Sequence, residues 1–273
     1  MLRVPTLLLC TLLVALIAPA TLAEDRVVLD SPEAVKKAMG SRDAAVRLAA
    51  ARTAAGLQDH LITAPLVKLL KDKERPVREA AIEALAGRVE KRERKSAANG
   101  LAARIAPLAK DEQAKDELLL VIQALHDLAQ PTTIKTLMDV TVNDEQEIVR
   151  ARAMAVANIP DAEAIERLLQ LGSKGRRHTN WQRIARDALR YATGVQLRGD
   201  ADAWRQWWRE NKGHFSFEAA AKRRADERDE KQRKAERAEE KRRKQEEKRR
   251  ERGERKRGKG GGKNGEEEEG SSS

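Results

Sequence analysis

The residues that could do chemistry are few, and their spacing limits them. His60, His126, His178 and His214 lie far apart, and no His-Glu-x-x-His or His-Glu pair occurs, although that spacing is what places metal-binding imidazoles on one helical face. The single cysteine, Cys10, falls inside an apolar leader, so the mature chain is expected to hold no disulfide, thiolate metal site or cysteine nucleophile. The glycine-rich run at residues 258–263 has the composition of a phosphate-binding loop, but its spacing is wrong and no strand pattern precedes it. The residues predict no enzyme, no metal and no cofactor, and they indicate no small-molecule substrate.

Two stretches carry side chains suited to binding. Residues 172–180 bring Lys174, Arg176, Arg177 and His178 together around glycines. Glycines let backbone N–H groups face an oxyanion and arginine supplies a fork of donors, so an anion or partner contact is one reading. A solvated surface loop is the other. Trp204, Trp207 and Trp208 stand at i, i+3 and i+4, on one face of a helix. That face suits an aromatic platform for a sugar or peptide, or a cap over the open apolar end of a stack. The cap is the expectation, with Trp181 as a packing partner.

The scaffold that must position these side chains is repetitive. Val77-Arg78-Glu79-Ala80-Ala81-Ile82-Glu83-Ala84-Leu85 returns at Val46-Arg47 and Val149-Arg150, with blurred copies near Glu117 and Trp181, in steps of 31, 40, 32 and 32 residues. A period near 32 accommodates two helices and two turns. Each copy follows a shorter apolar segment, as at Pro65-Leu66-Val67-Lys68-Leu69-Leu70 and Ile165-Glu166-Arg167-Leu168-Leu169. One such hairpin cannot bury its stripe alone, so successive hairpins must stack. Ser31-Pro32-Glu33 reads as the first helix start, and the next helix, over residues 42–56, should turn Val46, Ala49, Ala50 and Thr53 inward. The long step carries an insertion at residues 88–96, read as a basic contact loop or, preferably, as an extended solvated helix end. Gly100 is expected to restart the register before the next helix, and Pro131 and Pro160 to close repeats.

An acid precedes three of the Val-Arg pairs: Asp43, Glu74 and Asp144 stand before Arg47, Arg78 and Arg150. With the Ala-rich second helix, this pattern resembles the HEAT-repeat family of α-solenoids over roughly residues 31–212. The resemblance implies an all-α solenoid of about five hairpins and a macromolecular partner on its surface. On such a surface Arg47, Arg78 and Arg150 are candidate partner contacts; the preferred reading is that with Asp43, Glu74 and Asp144 they form an inter-repeat ladder that fixes stacking. Thr193-Gly194 followed by the Trp-rich helix is similar to the ending of exported HEAT-repeat proteins of planctomycete-type bacteria, which implies no activity. A HEAT-fold enzyme with a groove site assembled from distant repeats is an alternative.

Composition agrees with helices. Aromatic residues make up 3% and charged residues 36%, too few of the former for a sheet-based core. A net charge of +11 makes anionic partners plausible. Residues 1–23 read as a signal peptide cleaved after Ala23, 24–30 as a linker, 31–194 as repeats, 195–217 as the Trp-rich cap, 218–252 as a charged single helix and 253–273 as a disordered tail. The alternative for the leader is an uncleaved membrane anchor, against which the apolar run falls short of the roughly 20 residues a span needs. The expected protein is exported to the periplasm or the exterior, has no membrane span after cleavage, and acts as a non-catalytic scaffold for a protein partner. The alternative is a polyanion-binding protein, for nucleic acid or acidic polysaccharide, using the basic loop and tail.

Overall fold

In the computed structural model, residues 29–139, 145–174 and 179–260 are described. Cys10, the cleavage position Ala23, Asp144, Arg176, Arg177, His178 and residues 261–273 lie outside the described residues, as does the side chain of Lys174.

Helices and short 3₁₀ turns account for every regular element among the described residues. The chain runs α1 (Pro32–Ala38), α2 (Ala44–Ala55), α3 (His60–Leu69), α4 (Arg75–Ala86), α5 (Lys91–Leu108), α6 (Lys115–Leu128), α7 (Ile134–Asp139), α8 (Gln146–Ala157), α9 (Ala162–Lys174), α10 (Thr179–Thr193), α11 (Ala201–Asn211) and α12 (Phe217–Gly260). Side-chain caps set several of the starts. The Ser31 hydroxyl accepts from Ala34 N with Pro32 at the first helical position, and Asp43, Asp59 and Asp200 cap α2, α3 and α11. These bonds satisfy N–H groups that have no partner inside their own helix.

The helices form two layers. Odd-numbered α1, α3, α5, α7 and α9 pack each on the next, and even-numbered α2, α4, α6, α8 and α10 do likewise, while each odd helix also packs on the even helix that follows it. Five hairpins thus stack side by side around one elongated core. Small side chains set its spacing: Ala50, Ala81, Ala98, Ala153 and Ala188 are fully buried, and alanine lets helix axes approach closely.

The stack continues beyond the expected five pairs. α11 packs on α9 and α12 on α10, so the Trp-rich helix and the start of the charged helix occupy the places of a sixth hairpin. Ala220 is fully buried, Arg223 donates to Thr193 O at 2.9 Å, and Arg224 donates to Tyr191 O and Ala192 O at 2.9 and 3.0 Å. The boundary read at residue 218 therefore falls inside a packed element. α12 also runs to Gly260, past the linker expected from residue 253; each isolated glycine costs only about 1 kcal/mol relative to alanine in a helix.

Three local expectations need correcting. The buried face of α2 is Arg47, Ala50, Ala51 and Ala54, and Ala49 is exposed, because α1 and α4 meet α2 on a face turned about one residue from the one inferred. Gly100 lies within α5 and restarts nothing; it marks a close approach, where an added Cβ would stand 2.7 Å from Val67 Cγ2. The 40-residue step is taken up by the 18-residue α5, and Arg88, read as part of a solvated insertion, is 2% exposed.

Candidate interaction surface

The side chains of the inferred ladder are placed by the even layer. Arg47 of α2 forks onto Asp72, just before α4, at 2.6 and 2.9 Å, and also donates to Ser41 O and Arg42 O at 3.0 Å. Arg78 of α4 forks onto Glu117 of α6 at 2.7 to 3.0 Å and donates to Asp72 O and Lys73 O. Arg150 of α8 reaches Asp187 of α10 at 3.7 Å, both half-exposed. Each arginine thus reaches a carboxylate of the following repeat, and Arg47 and Arg78 hydrogen-bond to that carboxylate rather than to Asp43 and Glu74. Asp43 is occupied with Ala45 N at 2.8 Å, and Glu74 makes no side-chain cap bond at the start of α4.

Electrostatics follow the geometry. The hydrogen bond to Asp72 raises the pKa of Arg47, and the same bond holds the Asp72 carboxyl below its ordinary value. Glu117, 2% exposed, likewise raises the pKa of Arg78. These two arginines are thus matched within the chain. Farther along the layer Lys115 lies between Glu145 and Glu147, at 2.5 and 2.9 Å, which raises its pKa.

Between α6 and α8 the even layer opens into a shallow cleft of about 570 Å³. Its floor includes Leu119, Leu120, Ala151 and Met154, all half-buried, and its rim carries Asp116, Gln123, His126, Glu147 and Arg150. An apolar floor with a mixed-charge rim has the makeup of a protein contact surface. No group of three potential metal ligands occurs among the described residues, and none of their helices is long and apolar enough to cross a membrane.

The tryptophans lie inward. Trp204 and Trp208 are 1% and 4% exposed and Trp207 is half-buried. Edge-to-face contacts join Trp204 to Trp207 at 5.7 Å, Trp207 and Trp208 to Phe215 at 6.0 and 5.5 Å, and Phe215 to Phe217 at 5.0 Å. This chain of rings links α11 to the first turn of α12. With Trp204 and Trp208 buried, this face of α11 packs within the chain.

Sequence reasoning missed Asp72 and Glu117 as the acceptors, and Arg88 as a helix tie. Glu117 had a legible signal: a carboxylate at the opening of the apolar run Leu118-Leu119-Leu120-Val121-Ile122 is buried only if paired. Leu119, Leu120 and Met154 had none, since half-buried leucines share the core's periodicity.

No curated protein matches the chain. Among solved structures, the crystal structure of an engineered protein from the Northeast Structural Genomics Consortium aligns at 19% identity over 69% of this chain and 96% of that one, with a TM-score of 0.35, a likeness too distant to bear on function. Residues 31–106, which span α1 to most of α5, match the family model for HEAT repeats.

Proposed function

We propose that the chain is an exported, non-catalytic scaffold whose even-helix face receives a protein partner at the cleft between α6 and α8. The observation that carries this reading is the half-buried apolar floor of Leu119, Leu120 and Met154, open to solvent on a face whose neighbouring arginines are already paired. Stacked repeats present such extended surfaces as a consequence of their architecture. A polyanion reading is weaker, because cations along α12 pair with acids one turn away, as in Lys231 with Glu227, Lys234 with Glu230 and Lys244 with Glu240. On this proposal the leader at residues 1–23 is removed after Ala23, and mass spectrometry of the mature protein should find Glu24 at its N-terminus.

The test is affinity capture from the envelope fraction of the source cells at low and high salt. It compares wild type, a Leu120→Glu/Met154→Glu double variant verified as folded by circular dichroism, and a chain ending at Glu230. A salt-resistant protein held by wild type and the shortened chain but lost by the double variant supports the cleft. Capture of nucleic acid or polysaccharide that fades steeply with salt through counterion release, and that disappears on shortening, sinks it.

A further inference from the structure

At the far end of the stack a second cleft, of about 520 Å³, lies between α9, α10 and the start of α11, lined among others by Leu169, Arg186, Leu189, Arg190, Arg198 and Trp204. Its volume is in the range of small-molecule sites. Its cations are not matched as the ladder arginines are. Among the described residues Arg186 has no ion pair or hydrogen bond, and its Nε is buried without an acceptor. Arg190 donates to Leu197 O at 3.1 Å and comes only within 4.0 Å of Asp187, and its Nε is also buried and unpartnered, as is Trp204 Nε1. Arg198 is exposed. The sole carboxylate of the lining, Asp200, is engaged by Asp202 N and Ala203 N at 3.0 Å.

The repeat itself shows that Arg186 is out of pattern. Matching Ala188-Leu189 to Ala84-Leu85 puts Arg186 where earlier copies have Ala51, Ile82, Ile122 and Met154, the first three of them almost fully buried. A guanidinium at an apolar position, left without a carboxylate, contributes nothing to the fold that an aliphatic side chain would not do better. Buried donors without acceptors are expected to be rare and to have a reason.

We propose that this cleft binds a small organic oxyanion, a carboxylate or a phosphate monoester on a compact apolar body. Arg186 and Arg190, one turn apart on α10, supply the guanidinium forks, Arg198 adds charge at the mouth, and Leu169, Leu189 and Trp204 hold the apolar part. The site uses none of the residues of the α6/α8 cleft and stands or falls separately from it.

Isothermal titration of the full chain with phenyl phosphate, phenylacetate, inorganic phosphate and neutral 2-phenylethanol tests the proposal. One of the two aromatic anions should saturate a single site with Kd below about 1 mM, and which one does so identifies the oxyanion. 2-Phenylethanol should not saturate. Arg186→Gln and, independently, the exposed Arg198→Gln should weaken binding, the former at least about tenfold because a forked charge-assisted contact is lost. Arg183→Gln, exposed on the same helix, and the Leu120→Glu/Met154→Glu variant should bind as wild type. Arg186→Gln should also melt no lower than wild type, since the arginine holds nothing. The proposal is overturned if neither aromatic anion saturates below about 10 mM, if inorganic phosphate binds as tightly as phenyl phosphate, or if Arg186→Gln and Arg198→Gln both bind as wild type.

Discussion

Replacing Arg88 should cost this protein a large share of its stability, although the residue sits in a stretch that reads as solvent-exposed. It follows the end of α4, is 2% exposed, and donates to Ala84 O at 3.1 Å, Leu57 O at 2.5 Å and Ala54 O at 2.7 Å. Ala84 and Ala54 lie in the last turns of α4 and α2, and Leu57 just follows α2, at helix ends where the dipole favours a cation. Burial lowers the pKa of the guanidinium, and Glu93 offsets that only in part. The desolvation cost is therefore already present in the folded state. Removing the side chain abolishes the offsetting bonds and leaves Ala84 O and Leu57 O without these donors, while Ala54 O keeps Leu57 N at 3.1 Å, at about 1 to 3 kcal/mol for each that water cannot reach. With partial solvation, Arg88→Ala should lose about 2 to 5 kcal/mol, against a total of about 5 to 15 for a domain of ordinary stability. Arg88→Met keeps the apolar stem and should lose about 2 to 4, and Arg88→Lys, which keeps the charge but reaches fewer carbonyls, about 1 to 3. Urea unfolding followed by far-ultraviolet circular dichroism, at unchanged m-value, measures all three. A loss below about 1 kcal/mol for Arg88→Met, or equal losses for lysine and alanine, would refute the reasoning.

Other perturbations test other joints of the stack. Gly100→Ala places a Cβ 2.7 Å from Val67 and should lose about 1 to 3 kcal/mol despite alanine's better helix propensity; combining it with Val67→Ala should recover most of the loss in the same urea assay. Asp72→Asn should lower the melting temperature at pH 7. Because the folded Asp72 pKa lies below its ordinary value of 3.8, its contribution is complete above that value and disappears as pH falls through the depressed folded pKa. The gap between variant and wild type should therefore close in acid, and a gap independent of pH would mean that the Arg47 pair is not its source. Ending the chain after Glu230 should leave the melting temperature unchanged, whereas ending it after Ser216 should cost roughly 2 kcal/mol or more by removing Ala220, Arg223 and Arg224 from α10; equal melting of the two would show that α12 does not dock.

The architecture was legible because a repeat announces itself several times over. The five copies of the Val-Arg pattern fall in α2, α4, α6, α8 and α10, and the apolar segments before them fall in α3, α5, α7 and α9. What periodicity cannot supply is the partner of a long side chain. The acid four residues before Arg47 is nearer in sequence than Asp72, yet Asp43 is held by Ala45 N and the guanidinium extends to the neighbouring repeat. Arg88 and Arg94 were unreadable for the same reason, since the carbonyls they tie, at Ala54, Leu57 and Leu128, lie about one repeat away. The sixth hairpin was obscured by composition: a charge-rich helix reads as solvated along its whole length, and only Phe217 and the alanines at 219–221 hint that its first turns are packed.

The two uses of arginine in this chain follow from where each lies in the stack. Within the even layer an arginine of one repeat meets a carboxylate of the next, as Arg47 meets Asp72 and Arg78 meets Glu117, so interior charge is matched as a consequence of repetition. α10 is followed by α12, whose docking residues Arg223 and Arg224 bring more cations and engage carbonyls at the C-terminal end of α10. Among the described residues no acid pairs with Arg186. An acid at this end would neutralise the cleft and stabilise the stack, as it does in the repeats before it. A variant that introduces one, Gln182→Glu at the cleft wall beside Arg186, should therefore raise the melting temperature while abolishing anion binding. Should it raise stability and leave binding intact, the unmatched charge of Arg186 would not be what the cleft uses, and the distinction between ladder arginines and cleft arginines would fail.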